Sequence, residues 1–331
     1  MSKFIIFCAD GTWNGPGQPE SAREGDDSTN VLKAYRMLRG APTSPDSDYA
    51  SEQEKTLSDG QDRAVQVTRQ GLLDKTKLDL IDKASAYAWG CAAWRAHRAA
   101  TCGDEGFLQK LAEDVPTLNA VLATPLESAA YVEAPIEAIA VWDTVGSLGI
   151  PDVRNGVNRD LFNFVDKRLA PTVAHGFHAV SADERRANFT PTLWDAAPRV
   201  LQAIFPGAHA DVGGGYTTKG NESGLSDGAL RWITGRLQEI GVTFSPPPAE
   251  FRPDPAGVAH APWDEFPWDK LGTQARNLPP GLALAGSVVD RLTLPAVLDR
   301  PGAVPAPYAP IALGAYVTGR KPIAGVPIVL N

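Results

Sequence analysis

Three apolar runs, each about the length of a strand, stop at a polar or acidic residue. Residues 4–8 run into Asp10-Gly11-Thr12, residues 136–142 end at Asp143, and residues 200–205 are followed by Pro206-Gly207-Ala208-His209. A run that is apolar on consecutive positions is buried on both faces, which is the situation of strands in parallel sheets. The connecting segments carry helical spacing. Val31, Ala34, Tyr35 and Leu38 fall at i, i+3, i+4 and i+7, with Ser28 to Asn30 as cap candidates. Leu78, Ile81, Ala84, Ala88, Cys91 and Ala92 predict a second helix over 78–98. Helices are also predicted over 161–169, 173–182 and from Ser226-Asp227 to about Ile240. Residues 14–28 and 40–62 read as loops, with a short strand at 64–67. Strands alternating with helices give the expected fold class, a parallel α/β sheet with helices on both faces.

Composition narrows the function classes. With 43% hydrophobic residues in 331, the chain has ample material for a packed core. A net charge of −8 with no Lys/Arg cluster argues against nucleic acid as a partner, because phosphate neutralisation needs a basic face. Three cysteines, Cys8, Cys91 and Cys102, lack metal-like spacing and fit a reducing compartment. The short apolar run after Lys3 reads as a buried strand, not a signal peptide, and no stretch has the length of a membrane span. The expectation is a protein made in the cytoplasm, on which signal-independent export would leave no mark. Oligomeric state is left open. After Thr243 the texture turns Pro- and Trp-rich, with Trp263 and Trp268 placed as if buried. Residues 1–244 are therefore read as the domain and 245–331 as an irregular extension wrapped on it.

Asp143 and His209 each follow a predicted strand, at the sheet edge where ligands and catalytic groups collect. An acid that orients a histidine base is what a serine hydrolase requires, and the order acid then base suits an α/β-hydrolase. The bland alternative is that Asp143 caps a turn and His209 packs under Trp142. Gly213-Gly214-Gly215 offers backbone freedom close to His209, although a glycine run is more often only a tight turn. Gly224-Leu225-Ser226-Asp227-Gly228 matches Gly-x-Ser-x-Gly formally. The polar residues 217–222 before it cannot form the core strand of a nucleophile elbow, and Ser226 is better read as a helix N-cap. Asp10-Gly11-Thr12 resembles the first motif of haloacid-dehalogenase phosphatases, but Cys8 stands where their nucleophilic Asp belongs. His175 and His178, with Asp183 and Glu184 nearby, could be drawn as metal ligands; the segment reads as an ordinary helix with a charged end. No metal and no cofactor are expected.

Several blocks in order resemble the α/β-hydrolase family of formerly unknown function that includes the phospholipase effectors of type VI secretion. They are residues 4–14 (FIIFCADGTWN), 141–151 (VWDTVGSLGIP), 174–194 (AHGFHAVSADERRANFTPTLW), 205–216 (FPGAHADVGGGY) and 225–233 (LSDGALRWI). Residues 71–98 look like the helical stretch that follows the nucleophile in relatives. The resemblance implies hydrolysis of lipid esters, with Asp143 and His209 at the acid and base positions and Asp211 as the alternative acid. Asp10, Gly11 and Thr12 would line the site edge, where backbone N–H groups serve an oxyanion hole. It also implies a lipid or ester substrate and contact with a secretion apparatus.

The departure is a missing piece. Relatives place a Gly-Phe-Ser-Arg-Gly elbow on a central strand before the 71–98 segment, whereas here residues 64–67 pass directly into Gly71-Leu72-Leu73. A strand, its crossover and the elbow are expected to be absent, about 30 residues by the size of a βαβ unit. Two function classes remain. One is an active hydrolase with a displaced serine, the candidates being Ser58, Ser147 and Ser226. The other is a catalytically silent relative that acts by binding, and the absent elbow favours it.

Overall fold

A computed structural model describes residues 28–39, 135–145, 167–187, 189–266, 268–270 and 272–330, Trp89, and the strand backbones at 4–10, 41–42, 53–59, 72–73 and 131–132. In chain order the strands are β1 (Phe4–Asp10), β2 (Ala41–Pro42), β3 (Gln53–Asp59), β4 (Leu72–Leu73), β5 (Tyr131–Val132), β6 (Ile136–Trp142), β7 (Val173–Ser181), β8 (Val200–Phe205), β9 (Ala283–Ala285), β10 (Val317–Thr318), β11 (Lys321–Pro322) and β12 (Ile328–Val329). The helices are α1 (Asn30–Met37), α2 (His209–Gly213), α3 (Gly224–Glu239) and α4 (Gly286–Thr293), with short 3-10 turns between them.

The central sheet has the order β12-β9-β8-β7-β6, and each of its pairings is parallel. Its registers align Trp142 with Ala179 and Ser181 with Phe205, so three strands end along one edge. The period of two decides which residues meet which helix. Phe177 and Ala179 of β7, with Ala203 and Phe205 of β8, face Ala229, Trp232 and Ile233 of α3. Val180 and Ile204, one residue out of phase, join Leu284, Val288 and Leu292 of β9 and α4. Among the described residues, α3 packs on one face and α4 on the other. Every fully buried Leu, Ile or Val in these clusters contributes about 1.5–3 kcal/mol over its exposed state.

The strands at 4–8, 136–142 and 200–205 and the helix at 31–38 form as expected, with Thr29 as the N-cap of α1, its hydroxyl accepting from Leu32 N. Two expectations fail. Residues 173–182, predicted as helix, are strand β7, paired along its length with β6 and β8 and buried over most of it. Val173, Phe177 and Val180 are strand formers, and double-sided pairing overrides the helical spacing they also satisfy. Within the stretch expected to be loop, residues 53–59 form β3, which runs parallel to β1 from Phe4↔Gln53 to Asp10↔Asp59. Its polar sequence carries no apolar period, so only the backbone ladder reveals it. Residues 245–330 are largely irregular, and within them β9 and β12 add two strands to the sheet. The strand expected at 64–67, the helix expected at 78–98 (Trp89 apart) and residues 161–166 of the helix expected at 161–169 lie outside the described residues; residues 167–169 are described and are not helical.

No described helix is long and apolar enough to cross a membrane.

Candidate active site

The site forms where β6, β7 and β8 end. Asp143 follows β6 directly and has φ +44°, the left-handed region that a non-glycine residue occupies at a cost of about 1–3 kcal/mol. Its N–H still donates to Ala179 O at 2.7 Å, so the turn continues the ladder for one bond while it swings the side chain across the strand ends. His209 opens α2, four residues after β8 ends at Phe205. Its Nδ1 lies 2.7 Å from Asp143 Oδ2. A proton on Nδ1 donated to that carboxylate leaves Nε2 with a lone pair, the tautomer a general base needs. Among the described residues nothing hydrogen-bonds Nε2, and the His209 side chain keeps 30% of its exposure while Asp143 is fully buried. Phe189 meets the imidazole edge-on at 5.2 Å, and Trp268 backs Phe189 at 5.3 Å.

Asp143 is saturated with donors. Ser181 N donates to Oδ1 at 2.8 Å, and the guanidinium of Arg276 forks onto both oxygens, Nη1 to Oδ1 at 2.5 Å and Nη2 to Oδ2 at 2.8 Å. Burial pushes this carboxyl up; the Arg276 charge, the His209 bond and the Arg276 bonds outweigh it and hold Asp143 well below the usual carboxylate range. The acid is therefore ionised across the working pH range.

Glu184 fixes the other end of the pair. Its carboxylate accepts from the backbone N–H of Arg185 and Arg186, from the Arg186 guanidinium at 2.9 and 2.8 Å, and from His209 N at 3.1 Å. Burial pushes its pKa up, and the Arg186 and backbone bonds more than offset that, leaving it lowered. The turn before His209 is held as firmly: Gly207 N donates to Asp183 Oδ2 at 2.8 Å, and Ser181 Oγ donates to Gly207 O at 2.7 Å.

The remaining sequence candidates fall elsewhere. Asp211 does not touch His209; it accepts from Ala208 N, from His260 N and from His260 Nδ1 at 2.6 Å, forming a second, buried Asp–His pair. Tyr216 stacks on His260 with ring centroids 3.4 Å apart, and Glu222 Oε2 stands 3.5 Å from His260 Nε2. Ser226 lies inside the first turn of α3, which begins at Gly224; it is neither N-cap nor nucleophile in geometry, because its fully buried hydroxyl donates to Ser223 O at 2.9 Å. Asp227 serves the helix start instead, bonded by Ser223 Oγ, Lys33 Nζ and Arg252 N.

Asp10 ends β1 opposite Asp59 in the ladder, while Gly11, Thr12 and Ser147 lie outside the described residues, as does the side chain of Ser58. Gly214 has φ +83°, and a Cβ there would stand 2.6 Å from Asn30 N, so the glycine permits the close approach of the α1 start.

The four residues that could be drawn as metal ligands diverge. His175 is half exposed beside Glu137 and stacks on Phe177, while His178, on the other face of β7, accepts from Thr144 N at 3.2 Å. Burial lowers the His178 pKa to about 4, against the opposing pull of Asp143, so it is a neutral prop for the loop after Asp143. Asp183 and Glu184 spend their carboxylates on the turns described above. Among the described residues no cluster of three or more His, Cys, Asp or Glu fits a metal ion.

Sequence reasoning missed Arg276 and His260, and misplaced Glu184. All reach the site across long stretches of chain, and no local spacing marks them. The 276 region has no periodicity that could have pointed to it.

A parallel sheet covered on both faces, with an Asp–His pair at the carboxyl ends of its strands, defines an α/β-hydrolase-like protein. The family model described as "T6SS, Phospholipase effector Tle1-like, catalytic domain" matches residues 63–236. The chain belongs to that family. No curated protein matches it. Among solved structures it is similar to an uncharacterized protein from Pseudomonas aeruginosa, with 15% identity and a TM-score of 0.42. The match covers 73% of this chain and 47% of that one, so the chain spans about half of that protein's length.

Proposed function

We propose that this chain is a phospholipase-effector relative that keeps the acid–base half of a lipid-ester hydrolase site, with Asp143 as acid and His209 as base, but has lost the serine elbow. As it stands it does not turn over phospholipid esters. The observation that carries this reading is the sequence itself: residues 64–73 run from the position of a strand directly into the segment that follows the elbow in relatives, with no Gly-x-Ser-x-Gly between. The described serines agree with it. Ser181 and Ser226 are fully buried and donate to backbone carbonyls, and among the described residues no serine hydrogen-bonds His209. Export through a type VI apparatus, and a phospholipid surface as the ancestral substrate, follow from the family as parts of the same proposal. Gly11 and Thr12, where relatives would place oxyanion donors, complete the proposed site edge beside Asp10.

One observation favours a second reading. The Asp143–His209 pair is fully assembled with Nε2 open, the arrangement of a base ready to take a proton from a displaced serine such as Ser147 or Ser58. Labelling the folded chain with a fluorophosphonate probe, followed by peptide mapping, separates the two. Absence of label on protein shown to be folded is the expected result. A label that maps to one serine and disappears in His209→Ala would overturn the first reading and establish the second.

A further inference from the structure

Arg276 stands out among the groups around the pair. An acid that orients a histidine is commonly bonded by neutral donors, which leave its full charge to act on the imidazole. Here a whole guanidinium occupies it. Arg276 is 8% exposed, lies 133 residues along the chain from Asp143, and also donates through Nη1 to Ser181 O at 2.8 Å and through Nη2 to Phe189 O at 2.7 Å. One side chain thus ties the acid, the end of β7 and the loop whose Phe189 ring meets His209. Its own position is set by pairing of the neighbouring backbone, with Gln274 N donating to Arg185 O and Thr273 bridging to Arg186.

We propose that Arg276 is a positioning residue of the Asp143–His209 pair, locking the carboxylate plane onto His209 Nδ1 while weakening the pair's hold on a proton. The inference rests on reading those two residues as the acid–base pair. The geometry supplies both halves. A bidentate fork fixes the rotation of a carboxylate as a point charge does not, so Oδ2 stays aimed at Nδ1. The same fixed positive charge opposes the imidazolium that forms when Nε2 takes a proton.

The other charged or titratable groups facing the pair act in different ways. His178 on β7 is neutral, Glu184 meets His209 through its backbone N–H and is paired with Arg186, and Asp211 on α2 is turned to His260. Among the described residues, Arg276 is the cation in direct contact with the acid.

The test is an NMR titration of the isotope-labelled full chain, following the His209 ring and the Asp143 carboxyl carbon. In Arg276→Met the Asp143 carboxyl protonates at a higher pH than in wild type. Arg276→Lys, which keeps charge without the fork, falls between the two. Leu278→Ala, a core truncation two residues away, leaves the titration where it was although it lowers stability. Coincident Asp143 titrations in wild type and folded Arg276→Met would overturn the proposal. Should the Met variant not fold, Arg276→Lys decides: Asp143 titrating there as in wild type refutes the inference, and an upward shift supports it. Neither readout needs turnover, so a chain that proves inactive, or one that labels with the fluorophosphonate, leaves this test intact.

Discussion

Gly207→Ala tests whether the turn that delivers His209 is as rigid as its contacts require. Gly207 has φ +99°, a conformation that costs an L-residue about 1–2 kcal/mol. An added Cβ would lie 2.3 Å from Asp211 Cβ and 2.8 Å from Asp211 Oδ2, far inside contact. Neither partner can give way cheaply. Gly207 is pinned through its N–H by Asp183, and through its carbonyl by Ser181 Oγ and Asp183 N. Asp211 is fully buried and bonded to Ala208 and His260. Displacing it strips a buried carboxylate of at least one donor, a further cost of about 1–3 kcal/mol. The expected loss is about 2–5 kcal/mol of unfolding free energy, a large share of what a domain of this kind possesses. Urea unfolding followed by tryptophan fluorescence measures it, provided the m-value is unchanged. Gly235→Ala is the matched control: it lies within α3 with nothing near its Cβ position, and should stabilise the chain by about 0.5–1 kcal/mol. A Gly207→Ala variant as stable as wild type would refute the claim that the turn and Asp211 leave no room.

Two histidines should set the pH dependence of stability in opposite senses. His178 is buried with its pKa lowered to about 4 from 6.5, so below pH 6.5 the unfolded chain binds the extra proton and stability falls towards pH 4, by roughly 3 kcal/mol in all; in His178→Asn the slope of stability over that window should be shallower by about 1.4 kcal/mol per pH unit. His260 behaves conversely: burial pulls its pKa down, but its hydrogen bond to Asp211 and the nearby charges of Asp211 and Glu222 win and raise it. Its contribution is complete below the unfolded pKa and is lost as pH rises through the folded one, so His260→Gln should flatten the alkaline decline seen in the same urea series. Unchanged slopes in either variant would remove that histidine from the account. Glu184→Gln keeps the shape but loses the charge that holds Arg186; it should cost about 1–3 kcal/mol and loosen the His209 turn, read as faster amide exchange at His209.

Much of the architecture could be read from local pattern. The apolar runs at 136–142 and 200–205 became β6 and β8 with those bounds; β8 is a buried interior strand of the kind such a run predicts, while β6 ends the five-stranded sheet and is only partly buried. The run at 173–182 shows where pattern stops: its apolar positions satisfy a helix as well as a strand, and the partners on either side chose. β3 lies beyond pattern altogether, since Gln53-Glu54-Lys55-Thr56-Leu57-Ser58-Asp59 becomes a strand by pairing with β1.

The same division holds at the site. Asp143 and His209 are legible because each sits just past a strand, and strand ends gather at one sheet edge whatever the rest of the chain does. That no Gly-x-Ser-x-Gly precedes residues 71–98 can be read from the sequence as well. Sequence alone could not assign which carboxylate holds His209, nor find the partner of Asp211. That choice lies in distances of 2.7 Å and 2.6 Å between groups brought together by β6, α2 and the 258–260 segment. Arg276 is the extreme case. Hydrogen bonding and charge act over a few ångströms in space with no regard for separation along the chain, so a residue 133 positions away can govern the acid, and only the packed sheet brings it there.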